Sequence, residues 1–234
     1  MNKFKRIVLK VSGEALAGSN NHGIANDGVV AVVKEIKQVV ELGVQLGVVV
    51  GGGNFWRGRT CDDMNRATAD YIGMMGTVMN GLALGEGLTA AGIKNKVVSS
   101  LAIDKVCETY FLPNVNKYLE EGYVVVFVGG TGSPFFSTDT CASLRACEIG
   151  ADAVFCAKAI DAVYDSDPAK NPNAIRYDEI TFDKIIADNL KVLDLTSVAM
   201  CREYDMPVVV YSKDEPNGII RLLSGEKLGT IIHK

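Results

Sequence analysis

Two short segments combine glycine with a cationic side chain, and each follows a run of apolar residues. Lys10 to Gly13 ends the first run, and Gly51 to Asn54 ends the second, with Arg57 shortly after it. Glycine lets another group approach the backbone closely, and a neighbouring Lys or Arg adds positive charge. Such loops suit an anionic ligand, above all a phosphate group. For Lys10 to Gly13 taken alone, an edge lysine before an ordinary turn is the simpler interpretation.

A third segment, Gly129 to Asp139, joins glycines to two aromatic residues and several hydroxyl groups. Its rings could contact a nucleotide base, and its hydroxyl and amide groups could bind ribose and phosphate at the start of a helix. The alternative is that Phe135 and Phe136 belong to the core and that Ser137 or Thr138 only caps the helix.

A fourth segment, Asp161 to Pro168, is either a surface turn rich in Asx motifs or the wall of an adenosine pocket. In the second interpretation Tyr164 stacks on the base and Asp167 fixes the loop. Lone acids also stand near apolar helices and strands, where such residues usually cap helices or face solvent. They are Asp70, Asp152 and Asp194.

Strand and helix patterns alternate along the chain and must position these segments. A strand covered on both faces is apolar nearly throughout, whereas a helix packed on a sheet is apolar at every third or fourth position. We predict strands over Lys5–Val11, Val44–Val50, Tyr123–Val128, Ala153–Ala157 and Val208–Val210. We predict helices from an N-cap at Asp27 to Gly43, and over Met64–Ala90, Thr138–Glu148 and Leu195–Tyr204. The alternation predicts an α/β fold with a mostly parallel sheet, whose ligands bind beyond the carboxyl ends of the strands.

The composition is that of a globular protein with a large core: 234 residues, 48% of them hydrophobic, and a net charge of −4. Affinity for a phosphate backbone needs a basic face, so we expect no nucleic acid partner. No apolar run approaches the ~20 residues of a membrane span, so we expect no membrane partner and a cytoplasmic location. The six cysteines include no C-x-x-C pair, which favours buried thiols over a metal site. The fingerprints of P-loop, Rossmann and hydrolase sites are absent.

Taken together, Gly51 to Gly58 and Gly129 to Asp139 resemble the bacterial UMP kinases of the amino-acid kinase superfamily. Further similar stretches are Val8–Leu16, Met64–Asn80 and Asp161–Lys170, so the resemblance extends over nearly the whole chain. It implies a three-layer α/β/α sandwich around a mostly parallel sheet. It also implies one domain over residues 1–234, with an acceptor-binding half at about 1–150 and an ATP-binding half at about 151–234.

The resemblance assigns roles to matching positions. It implies that Lys10, Arg57 and Asp194 are catalytic, with Asp194 orienting the lysines. The implied ATP contacts are Lys10, Val11, Ser12, Gly13, Gly53, Arg57, Lys158, Tyr164 and Asp167. The implied UMP contacts are Gly52, Asp70, Thr131, Gly132, Ser133, Pro134, Phe135, Phe136, Ser137 and Thr138. Departures from the family's pattern occur at Phe55–Trp56, Ser133, Cys156–Ile160 and Ala162.

The resemblance further implies a homohexamer that uses Mg²⁺ with ATP, is activated by GTP and is inhibited by UTP. The implied reaction transfers the γ-phosphoryl group of ATP to UMP. A phosphate monoester is largely dianionic at pH 7, because its second pKa is about 6, so this reaction needs no histidine base. Two alternatives remain open: a related kinase acting on a carbamate or carboxylate, and a non-catalytic assembly that binds nucleotides.

Overall fold

The structure is a computed structural model that describes residues 4–58 and 63–234. Within these ranges the strands are β1 Arg6–Val11, β2 Gln45–Val50, β3 Asn95–Ser99, β4 Glu108–Thr109, β5 Val124–Val128, β6 Ala153–Lys158, β7 Val163–Tyr164, β8 Arg176–Tyr177, β9 Glu179–Thr181, β10 Val208–Ser212 and β11 Thr230–His233. The helices are α1 Gly13–Ala17, α2 Asn26–Glu41, α3 Arg66–Ala90, α4 Leu112–Glu120, α5 Thr138–Ile149, α6 Phe182–Ala187, α7 Leu195–Glu203 and α8 Gly218–Leu223.

Nine strands form one sheet in the order β4-β3-β5-β2-β1-β6-β10-β11-β9, and β7 pairs with β8 separately. All neighbours in the large sheet are parallel except β10 and β11. Strand β1 is central, and Lys10 lies opposite Val49 of β2 and Cys156 of β6. The predicted α/β sandwich with a mostly parallel sheet is confirmed.

Helices cover both faces of the sheet. Helix α2 buries Val29, Val32, Val33 and Ile36, which share one side of a helix, against the face that α1, α3 and α8 also cover. Helices α4, α5, α6 and α7 form a second core on the opposite face. Strand β5 is buried at every position because it lies between these two cores. No helix of the described residues is long and apolar enough to cross a membrane.

The five predicted strands and four predicted helices all form, with ends within a few residues of the expected ones. One boundary is wrong: α2 begins at Asn26 with Ala25 as its N-cap, so Asp27 is not the cap. The Asp27 carboxylate instead accepts from the Ser19 amide at 3.2 Å, because the preceding loop folds back onto the helix start.

The prediction of buried thiols is only partly right. Cys141, Cys156 and Cys201 are buried, and burial raises the pKa of each thiol, to about 12 for Cys156 and about 11 for the other two. Cys107 and Cys147 are half-buried and pack against the two cores without lying inside them. Cys61 lies outside the described residues.

Candidate active site

A cleft of about 510 Å³ opens at the carboxyl ends of β1, β2 and β5. The ends of these parallel strands meet at one edge of the sheet, so segments far apart in sequence face each other there. The predicted site residues that line this cleft are Lys10, Ser12, Gly13, Gly52, Gly53, Arg57, Asp70, Thr131, Ser133, Phe136, Ser137 and Thr138.

The glycine turn after β2 is packed tightly against its neighbours. A Cβ at Gly52 would lie 2.4 Å from the carbonyl oxygen of Gly73 in α3, and a Cβ at Gly13 would lie 2.3 Å from Oδ1 of Asn54. Buried Asn80 donates to the Gly51 carbonyl at 2.7 Å and to Asn54 Oδ1 at 2.7 Å. Glycine is therefore needed here because the backbone of the turn lies against α3, in addition to any approach of a ligand.

Two lysines share one carboxylate at the edge of the cleft. Lys10 Nζ lies 3.3 Å from Asp139 Oδ1, and Lys158 Nζ donates to Asp139 Oδ2 at 2.7 Å. The Lys10 and Asp139 side chains are only 12% and 14% exposed. Burial alone would raise the pKa of Asp139, but the two lysines outweigh it and hold that pKa below its usual value. Burial opposes the charge of Lys10, yet Asp139 raises the pKa of the lysine overall. Lys10 and Asp139 are thus held in their charged forms at neutral pH, and the formal charge of the two lysines exceeds that of the one carboxylate.

A second ion pair joins α1 to the glycine turn, where Arg57 pairs with Glu14. Burial acts to raise the pKa of Glu14, but a backbone hydrogen bond and Arg57 together lower it. The Arg57 side chain is mostly exposed, so it can reorient toward a ligand without leaving a buried cavity.

Asp194 is held by hydroxyl groups at the start of α5. It accepts from Ser137 Oγ and from Thr140 Oγ1, the latter at 2.8 Å, and it caps α7 by accepting from the Ser197 amide at 3.0 Å. The acid that pairs with both lysines is Asp139, which follows Ser137 closely in the same helix. Hydrogen bonds thus link Asp194 to the turn that carries Asp139, the partner of both lysines.

Asp70 of α3 contacts the segment that carries the two phenylalanines. The Asp70 carboxylate accepts from Arg66 Nε at 2.9 Å and from the Phe135 amide at 2.8 Å. Phe135 is 64% exposed and Phe136 48%, so neither is a core residue. Phe135 also has a positive φ of 72°, a strained backbone for a non-glycine residue.

Two further cavities adjoin the cleft. One of about 270 Å³, between β1, α2 and the loop after β10, shares Lys10 and Ser12 with it. The other, of about 400 Å³, shares Ser137 and Asp139 with the cleft and is lined by Lys158 and Asp194. Each of the three cavities is lined by at least one member of the Lys10–Asp139–Lys158 cluster.

Several predicted residues lie away from the cleft lining. The Tyr164 hydroxyl donates a hydrogen bond to Asp161 Oδ1 at 3.0 Å. Asp167 accepts from the Ala169 amide at 3.0 Å, which forms an Asx turn as the surface-turn interpretation predicts. Asp152, the third lone acid, accepts from the amides of Lys5 and Arg6. The other predicted site residues outside the cleft lining are Val11, Lys158 and Asp194, which line the adjoining cavities, and Gly132, Pro134 and Phe135.

Among residues that sequence reasoning left without a role, Asp139, Glu14 and Arg66 line the cleft. The sequence shows that the start of α5 is polar, but no sequence pattern shows that Asp139 faces Lys10. The pairing of Arg66 with Asp70 could have been predicted, because the two residues are four positions apart on a predicted helix, the spacing of a helical ion pair.

A mostly parallel sheet with cationic glycine turns at its carboxyl edge is typical of α/β proteins that bind phosphate groups. The chain belongs to the amino acid kinase family, whose model matches residues 5–212.

Two solved structures are similar over almost the whole chain. One is a UMP kinase from Bacillus anthracis, with 34% identity, a TM-score of 0.95, and coverage of 98% of this chain and 96% of that one. The other is a UMP kinase from Ureaplasma parvum, with 38% identity, a TM-score of 0.93, and coverage of 98% and 99%.

Proposed function

We propose that this protein transfers the γ-phosphoryl group of MgATP to the α-phosphate of UMP, giving UDP and ADP for pyrimidine nucleotide biosynthesis. The observation that carries the proposal is that three adjoining cavities are each lined by a member of the Lys10–Asp139–Lys158 cluster. A donor in one cavity and an acceptor in the next would bring their phosphates together at a fixed positive charge. The similarity to two UMP kinases over 98% of the chain supports UMP as the acceptor.

The chemistry requires alignment and charge compensation. The attacking group is a phosphate oxygen, dianionic near neutral pH, so the protein need not remove a proton. It must hold two polyanions in line against their repulsion and stabilise charge on the transferring group. Lys10 and Arg57 would supply that charge, and the Gly52 and Gly53 amides and the 131–138 segment would supply neutral donors.

We propose that Mg²⁺ enters as part of MgATP. No three His, Cys, Asp or Glu side chains form a metal-ligand cluster in the residues 4–58 and 63–234. The cleft carboxylates Asp139 and Glu14 are already paired with cations. Such a site fits an ion carried mainly by nucleotide phosphates.

We also propose that the protein is a homohexamer located in the cytoplasm, activated by GTP and inhibited by UTP. Oligomerisation is supported by α3, which leaves a row of apolar side chains partly exposed at helical spacing, as an interface helix would. These are Tyr71, Ile72, Met75, Met79 and Leu82. Regulation by GTP and UTP rests on the family resemblance alone.

The test is acceptor profiling of the purified protein with MgATP, following ADP release with UMP, CMP, carbamate and acetylglutamate. Turnover with UMP well above the other acceptors supports the proposal. Turnover only with carbamate or acetylglutamate would place the protein with the related small-acid kinases. Binding of ATP and UMP without UDP formation would make it a non-catalytic nucleotide binder. Adding GTP, UTP or a chelator to the same assay tests the regulation and the need for Mg²⁺.

A further inference from the structure

A buried arginine lies behind the acceptor side of the cleft without lining it. Arg145 of α5 is only 3% exposed, and its guanidinium stacks on the Tyr110 ring with 3.8 Å between the guanidinium carbon and the ring centre. It donates to Glu148 and, at 2.9 Å, to Ser100 Oγ, while its Nε has no hydrogen-bond partner within the described part of the chain. Burying a cation is costly unless its donors are satisfied, so the acceptors of this guanidinium are held in fixed positions.

Ser100 connects the arginine to the turn that follows β5. Its hydroxyl donates to the Gly130 carbonyl at 2.7 Å. Because Arg145 can only donate, the Ser100 oxygen must accept from it, and the single hydroxyl proton is left for Gly130. The guanidinium therefore fixes the direction in which Ser100 points.

The turn is rich in glycine, whose backbone is flexible, and one backbone hydrogen bond closes it from within, from the Gly132 amide to the Gly129 carbonyl at 3.0 Å. Gly129, Gly130 and Gly132 all have positive φ angles, of 74°, 57° and 84°. Two side chains outside the turn bind its peptide groups. Thr77 of α3 accepts from the Gly129 amide at 2.7 Å, and Ser100 donates to the Gly130 carbonyl. The turn leads directly into Thr131 and Ser133, which line the cleft.

We propose that Arg145 is a positioning residue for the acceptor nucleotide, acting through Ser100 on the 129–133 turn. It does not touch the acceptor. The inference rests on the proposed function only in naming UMP as that acceptor.

The test measures equilibrium dissociation constants for UMP and for a non-hydrolysable ATP analogue in Ser100→Ala, Arg145→Met and the double variant. Loss of a hydrogen bond backed by a charged group should weaken UMP binding by roughly tenfold in each single variant. Binding of the ATP analogue should stay within about twofold, because Lys10 and Arg57 are untouched. Since both residues act through one hydroxyl, the double variant should bind UMP no more weakly than the worse single variant.

Glu148→Gln is the matched control. It alters another partner of Arg145 and of Tyr110 while leaving the Ser100 link in place, so it should lower the melting temperature with UMP binding unchanged. Arg145→Lys keeps the charge and should restore part of the UMP affinity lost in Arg145→Met.

Hydrogen exchange without ligand separates this inference from the proposed function. The peptide over residues 129–136 should exchange faster in Ser100→Ala and Arg145→Met, and at the parent rate in Glu148→Gln. If the parent protein binds no UMP but this pattern holds, the proposed function fails and the positioning inference stands. Unchanged exchange and UMP affinity in a folded Ser100→Ala protein, or additive losses in the double variant, would overturn it.

Discussion

Asp139 is the central residue of the site. Its single negative charge offsets one of the two positive charges of Lys10 and Lys158, which would otherwise repel each other. It holds Lys10 and Lys158 within 3.3 Å and 2.7 Å, on the ends of the adjacent strands β1 and β6. A buried ion pair adds little net stability, but it fixes geometry, and removal of one partner leaves an uncompensated charge. Bound phosphates could take over the compensation that Asp139 provides in the free protein.

At this scale we expect Lys10→Ala or Arg57→Ala to lower turnover by roughly two to four orders of magnitude, because each removes charge that stabilises the transferring phosphoryl group. Steady-state kinetics with UMP and MgATP give the measurement. Lys117→Ala is the control, since this exposed lysine pairs only weakly with Glu121, at 3.8 Å. Near-normal turnover in both active-site variants would reject the assigned roles.

The pH dependence of the Lys10–Asp139 pair follows from the direction of its pKa shifts. The pKa of Asp139 is below 3.8, so the stability gained from its ionisation is present above that pH and is lost as pH falls through the lower folded value. The pKa of Lys10 is above 10.5, so its contribution is present below that pH and is lost as pH rises through the higher folded value. Neither group titrates near neutrality.

We therefore expect the acid limb of kcat/KM for UMP to lie at a pH of about 6, where the acceptor phosphate loses its second proton. A pH–rate profile measures it. With a thiophosphate analogue of UMP, whose second pKa is lower, the limb should move to lower pH. A limb that stays in place with both acceptors would instead point to a protein group.

At the scale of elements, the site depends on how closely the β2–α3 turn approaches α3. The contact is between the backbone of Gly52 and the carbonyl of Gly73, and Asn80 of the same helix ties down Gly51. The glycine run by itself predicts a close approach by a ligand. The contact with α3 could not be predicted, because it depends on where a helix later in the chain crosses the turn.

We expect Gly52→Ala to destabilise the protein by about 1–3 kcal/mol, the usual cost of overpacking, because its Cβ would overlap the Gly73 carbonyl. The matched variant is Gly73→Ala, whose Cβ would meet only the Trp56 carbonyl at 3.7 Å. Alanine favours a helix interior over glycine by up to about 1 kcal/mol, so this variant should be neutral or stabilising. Urea unfolding of both proteins measures the difference, and equal stabilities would contradict the packing argument.

At the scale of the whole molecule, the predicted site segments lie at one edge of the sheet. Helix α3 packs on one face of the sheet and exposes part of its apolar surface. The partly exposed row on α3 contrasts with α2, whose apolar side packs inward on the sheet. A helix with apolar residues left outside is typical of an interface between subunits.

We expect Met75→Glu together with Met79→Glu to dissociate the proposed oligomer, because the charges would be buried between its subunits. Sedimentation velocity measures the assembly state. Leu42→Glu is a matched control, since Leu42, Met75 and Met79 are each 44% exposed in the single chain. A parent protein that sediments as a monomer, or a double variant that assembles normally, would reject the α3 interface.

The sequence by itself determined the alternation of buried strands and one-sided helices, and with it the parallel sheet and the edge where Lys10, Gly52 and the 131–138 segment meet. Periodicity and glycine placement are local signals, and parallel topology converts them into a common edge. Only the tertiary structure decided which acid faces Lys10, why Gly52 must be glycine, and that the short strands β3, β4, β9 and β11 extend the sheet. These features depend on partners distant in the chain, whose positions are set by packing.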